Sequence, residues 1–170
     1  MPLTPFHLGP ALFLGLVFFS FLDFPTFLLA NVIVDVEPLL VFLLDLDYPL
    51  HGFFHSFLGG TLAALLLAFI MMKIRSAFSG WLSFLKLEQE YSLKSILAAS
   101  LSGVYIHILL DSRMHLDIKP FYPLDLNPLL SRGVLVGFEI YTICIWTGIL
   151  GIIVYGIKLF LTIRKEKIQN

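Results

Sequence analysis

Residues 51–72 read HGFFHSFLGGTLAALLLAFIMM, and between His51 and Met72 there is no Asp, Glu, Lys or Arg. The hydrocarbon core of a bilayer takes about 20 mostly apolar residues of helix, and this run has that length with no charge to oppose insertion. Reading outward in both directions gives more stretches of the same kind. Phe6 to Leu22 is a short apolar segment ended by Asp23 and Pro25, and Pro25 to Leu44 is a second one carrying Asp35, Glu37 and Pro38. The 51–72 run is the third, Leu93 to Leu110 the fourth and Gly133 to Leu161 the fifth, the last long enough to tilt or project from the bilayer. The expected fold is therefore an all-α polytopic transmembrane helix bundle of about five spans, a single integral membrane domain over residues 1–170.

The whole composition agrees. Of the 170 residues 58% are hydrophobic and 14% charged, with a mean hydropathy of +0.92, where a soluble domain carries roughly 25% charged residues. A net charge of −1, with one short basic cluster at Arg164, Lys165 and Lys167, excludes a nucleic-acid partner. Cys144 is the one cysteine, so no intrachain disulfide can form. The segment Met1 to His7 has no basic n-region and no cleavage site follows it, so the first apolar run is expected to remain as a span. The most polar segment is 73–94; its centre, Ala77 to Leu87 with Trp81 and Phe84, suits a short interfacial helix.

Orientation is read from lysine and arginine placement. Lys73, Arg75, Lys86 and Lys94 lie between spans three and four, and Lys158, Arg164, Lys165 and Lys167 lie at the C-terminus. With five spans both groups fall on one side, which the positive-inside rule makes cytoplasmic.

Ionisable residues within membrane helices are costly, and they mark functional sites by default. His51 and His55 open span three, and His107 and Asp111 close span four, each pair spaced i, i+4 so as to share a helix face. Asp35 and Glu37 would diverge on a regular helix, but Pro38 can unwind the backbone after them. With His7 at the outer end of span one, four spans bring carboxylates and imidazoles to one depth near the extracytoplasmic side. Mixed oxygen and nitrogen donors suit a divalent metal ion, zinc or manganese first and iron next, better than copper(I). With this many candidate ligands, two ions are conceivable.

Each residue alone also has an ordinary reading. His7 and His51 can mark helix ends, His107 and Asp111 can hydrogen-bond within one helix, and Asp35 can pair with Arg113 or Arg132. Asp45, Asp47, Asp117 and Asp125 read as solvated loop charges and His115 as a loop residue. Glu139 either lines the same cavity or snorkels outward.

The blocks Thr4-Pro5-Phe6-His7-Leu8-Gly9, Asn31 to Pro38 with its Asp-Val-Glu, His51-Gly52-Phe53-Phe54-His55-Ser56, and His107 to Asp111 followed by Pro120-Phe121 occur in a telling order. The chain resembles small inner-membrane proteins described as metal-dependent hydrolases, some of them described as LexA-regulated. The resemblance spans about the first three quarters of the chain. It departs at Gly52, where the family commonly has Arg, and at Glu37, where Asp is common. It implies hydrolysis of a lipid-linked or amphipathic ester, with a phosphoester preferred and a membrane lipid or lipid-linked substrate as the partner. On this reading His7, Asp35, His51, His55, His107 and Asp111 are the metal ligands and Glu37 is the general base toward water. Ser56 is expected to cap a helix or hydrogen-bond nearby rather than act as a nucleophile. The alternatives are a proton- or metal-translocating protein and a non-catalytic membrane scaffold. Nothing in the sequence addresses the oligomeric state.

Overall fold

The computed structural model of the protein describes residues 4–131, 133 and 135–169. Among these it is all helix, with no strand: α1 (Leu8–Val17), α2 (Phe24–Ala30), α3 (Val36–Leu43), α4 (Phe57–Ile74), α5 (Ser79–Phe84), α6 (Leu93–Ser112) and α7 (Val136–Gln169). Four helical stretches are long and apolar enough to cross a membrane: Phe24–Leu43, Phe57–Phe84, Leu93–Ser112 and Val136–Ile168. The fifth apolar helix, Pro5–Val17, is shorter. The first expected span thus ends earlier than Leu22. After Val17 the chain turns, and Asp23 caps α2 by accepting from the Thr26 backbone N–H at 3.2 Å. The last helix runs further than expected, to Gln169.

Two local structures differ from the sequence reading. The break in the second span precedes the acidic pair instead of following it: α2 stops at Ala30, a 3₁₀ turn covers Ile33–Asp35, and α3 starts at Val36. Pro38 then stands in the first turn of α3, where its missing N–H would have had no intrahelical partner, so it is accommodated without a break. Likewise His51 and His55 do not lie on a helix. Ser56 is extended (φ −103°, ψ 155°) and caps α4 by accepting from the Gly59 N–H at 2.9 Å, while its own hydroxyl donates to the Phe53 carbonyl. That cap sets the start of the helix at Phe57, and it leaves 51–56 as a loop with a 3₁₀ turn at Phe53–His55. The capping role expected for Ser56 is the one it has.

Helix α6 is central, packing against α2 on one side and α4 on the other, while α1 lies along α7. The core between α2, α4 and α6 is apolar, with Ala30, Ala64, Leu67, Met71, Ile96 and Val104 buried. Gly103 allows the close approach of α6 and α2, because a β-carbon there would overlap the Ala30 side chain and crowd Asn31. At the end of the bundle away from 51–56, Arg75 is buried and its Nε donates to Asp23, whose other oxygen accepts from the Thr26 hydroxyl. Gln89 ties the same corner, donating to the Phe19 and Leu22 carbonyls and accepting from the Phe24 N–H. The short helix α5 exposes Trp81 and Phe84 and buries Leu82. Lys86 pairs with Glu166 at 2.8 Å, so the two basic regions of the chain meet at this one end.

Candidate metal centre

The opposite end of the bundle gathers all five histidines of the chain with the buried carboxylates of Asp35 and Asp111. Helix α6 supplies His107 and, one turn on, Asp111; the turn before α3 supplies Asp35; the 51–55 loop supplies His55; and the turn before α1 supplies His7. His7, His55 and His107 are each 0% exposed and Asp111 2%. His107 Nε2 lies 3.2 Å from Asp111 Oδ2 and 3.3 Å from Asp35 Oδ1; His55 Nε2 lies 3.7 Å from the same Asp35 oxygen, and His7 Nε2 lies 3.1 Å from Asp111 Oδ1. One ligand atom each from Asp35, His55, His107 and Asp111 falls within 4.8 Å of all the others, a grouping able to hold a metal ion.

How the imidazoles are held matters as much as where they are. His107 Nδ1 donates to the Asn31 carbonyl at 2.7 Å, a contact that the close α6–α2 packing at Gly103 makes possible. His55 Nδ1 donates to Glu37 Oε2 at 3.0 Å. His51 Nδ1 stands 3.0 Å from both Asp117 oxygens. Fixing the proton on Nδ1 leaves the lone pair on Nε2, and in each of the three that Nε2 is buried without a hydrogen-bond partner. Asp35 Oδ2 and His7 Nδ1 are buried and unpartnered as well, and His7 Nε2 meets Asp111 Oδ1 at 3.1 Å without the geometry of a hydrogen bond. A core histidine satisfied by its neighbours would not look like this. A divalent ion held at about 2.0–2.1 Å by its ligands places neighbouring donor atoms roughly 2.9–3.4 Å apart, the spacing seen here between His107, Asp35 and Asp111. The residues fit a cation.

Glu37, expected as a general base, is bonded to the 52–55 turn. Its carboxylate accepts from the Gly52 N–H, the Phe54 N–H and the His55 ring, so it closes the 52–55 turn and aims His55. The arginines weighed as partners of Asp35 do not meet it as partners: Asp35 faces His55 and His107, Arg113 is exposed, and Arg132 lies outside the described residues. Glu139 is exposed on α7.

His51 stands apart from the four-residue group and belongs with two residues that read as loop positions in the sequence. Asp117 accepts from the His51 backbone N–H at 3.1 Å as well as facing its ring, and His115 stacks on that ring at 4.2 Å. Burial and the adjoining His51 push His115 down to about 4, so it is neutral near pH 7. The sequence signal for the pair was faint, a His-x-Asp in a proline-punctuated loop with no helical phase to place it.

Two cavities of about 350 Å³ each flank the 48–54 loop and share Tyr48. One is apolar, lined by Ile33, Val36, Leu40, Leu66 and Ile70, with Glu37 at its edge. The other is polar, lined by His51, Gly52, Asp117, Lys119 and Tyr122. Gly52 lets Tyr48 cover the loop, since any β-carbon there would collide with the Tyr48 ring; the Tyr48 hydroxyl accepts from the Phe53 N–H.

Comparison with protein-family models, with curated proteins and with solved structures finds no match to this chain.

Proposed function

We propose that the protein is a membrane-embedded, metal-dependent hydrolase of a lipid-linked or otherwise amphipathic ester, a phosphoester in the first place. The observation that carries the reading is the set of imidazoles anchored through Nδ1 with Nε2 buried and unpartnered, converging on two carboxylates. Asp35, His55, His107 and Asp111 hold the ion, with His7 beside Asp111. Nitrogen with carboxylate oxygen favours zinc or manganese. Bound there, such an ion supplies Lewis acidity and can bring the pKa of a water to about 7. The chain's own part is to aim the ligands and accept the proton. Asp35 Oδ1 faces both imidazoles while its buried Oδ2 has no partner, which makes Oδ2 the atom to take a proton from water. Glu37 orients His55.

The two cavities support an amphipathic substrate. A hydrocarbon chain suits the apolar cavity on the α3–α4 side, and a phosphate suits the polar one, where Lys119, paired at 3.0 Å with Asp125, is the positive charge in place of one at position 52. The meeting of the basic loop and the α7 tail at the other end, with the positive-inside rule, supports a cytoplasmic C-terminus and a centre toward the extracytoplasmic side.

Transport is the competing reading. Beneath the centre, the described core between α2, α4 and α6 is mostly apolar, and its buried Ser100 hydroxyl is already spent on the Ala64 carbonyl. The test uses full-length protein in detergent, washed with mild chelator, analysed for metal and assayed on isoprenoid-phosphate and phospholipid substrates. Retained metal with turnover is expected. A metal-loaded protein inert toward every lipid-linked ester would turn the assignment to transport, and a protein that binds no metal would leave a scaffold.

A further inference from the structure

The hydrolase reading uses neither His115 nor Asp117, yet both pack against His51. We propose that His51, His115 and Asp117 form a second divalent-cation subsite beside the group of Asp35, His55, His107 and Asp111, so that the chamber takes two ions. The proposal rests on the metal-dependent reading of that chamber and extends it.

One ligand atom each from His51, His115 and Asp117 lies within 4.8 Å of the other two. His51 is 3% exposed and held at two points by Asp117, through its backbone N–H and through Nδ1. Its Nε2 then carries a lone pair that no protein donor meets. His115 Nε2 is buried and unpartnered in the same way, and the two rings stack at 4.2 Å with 30° between their planes. A loop clasp built only for stability would satisfy these nitrogens with hydrogen bonds, because buried unpaired polar atoms are costly. The two imidazoles supply nitrogen donors that suit zinc or manganese, and Asp117, bonded to Nδ1 on the far side of the His51 ring, aims its Nε2.

The subsite is adjacent to the first group. The His51 and His55 rings meet edge to face at 4.8 Å, and hydrolytic centres with paired ions hold them about 3.5–4 Å apart. The polar cavity lined by His51, Asp117 and Lys119 opens at the second subsite, so an anionic headgroup arriving there meets this ion first.

Full-length protein in detergent, stripped with chelator and titrated with Mn²⁺, gives the test, read as bound equivalents and by electron paramagnetic resonance. Wild type is expected to bind two equivalents and give a spin-coupled signal. His115→Ala and the more conservative His115→Gln should bind one equivalent with an uncoupled signal. Asp117→Asn, which keeps the side-chain shape, should weaken the second equivalent at least tenfold and spare the first. Size-exclusion profiles and thermal unfolding establish that each variant is folded, and the Asn variant decides the matter if the His115 variants are not. One equivalent in wild type, unchanged by His115→Gln and Asp117→Asn, overturns the subsite and leaves the single-ion reading standing. No bound ion in wild type overturns both.

Discussion

At the scale of the residue, an imidazole in this protein is defined by the acceptor behind it. His107 has a backbone carbonyl, His55 has Glu37, and His51 has Asp117. Carboxylate and carbonyl partners of this kind raise ligand basicity and fix ring orientation, and their loss typically costs 10–100-fold in metal affinity or activity. The two acidic residues of the 35–37 segment should therefore separate on substitution. Glu37→Gln keeps one accepting oxygen for His55 Nδ1 but loses the negative charge behind that ring and sets its amide nitrogen against the Phe54 N–H, and it should weaken metal binding about 10–100-fold while the protein stays folded. Asp35→Asn should lose the metal and turnover together. Calorimetric titration with Zn²⁺, alongside thermal unfolding of the stripped proteins, checks both. Equal affinity in the two variants would remove the distinction drawn between them.

At the scale of the element, the centre depends on how closely α6 approaches α2. The α6 backbone reaches the Asn31 region only because position 103 has no side chain, and His107 stands one turn further along the same helix. Gly103→Val places a branched side chain against Ala30 and Asn31. Overpacking of this sort costs about 1–3 kcal/mol, and pushing the helices apart also takes the Asn31 carbonyl away from His107. The expected result is a lower unfolding temperature together with weaker metal binding. Gly156→Val, at a position where a β-carbon meets nothing, is the control and should change neither. A Gly103→Val protein with wild-type metal affinity would show that the carbonyl anchor is dispensable.

At the scale of the molecule, the bundle has two unlike ends. One carries the buried Asp23–Arg75 pair, the Gln89 clasp and the Lys86–Glu166 contact between the 75–92 segment and the α7 tail. The other carries the histidines and carboxylates. Reporter fusions after Ser79 and at the C-terminus are expected to read cytoplasmic, and one near Leu124 external. A cytoplasmic reading at Leu124 would put the centre on the wrong side and remove the argument for an outer-leaflet substrate.

The membrane class, the positions of the apolar helices and the residue types of the centre were all legible in the amino-acid order. Hydropathy accumulates along the chain, and a charged or imidazole side chain in an apolar run is conspicuous wherever the run ends up. The i, i+4 relation of His107 and Asp111 was also local, since α6 continues through both. What needed the tertiary structure were relations between segments far apart in sequence. His51 and His55 share the same spacing as His107 and Asp111, but the Ser56 cap keeps them off the helix, and Glu37 and Asp117 aim them instead. Sequence spacing cannot show that three N–H groups, those of residues 52 and 54 and the His55 ring, converge on Glu37. His115 and Asp117 looked like solvated loop positions because a loop without helical or strand period carries no signal of what it folds against. Whether a buried polar atom has a partner is decided only by packing, and here packing leaves the Nε2 atoms of five histidines without one.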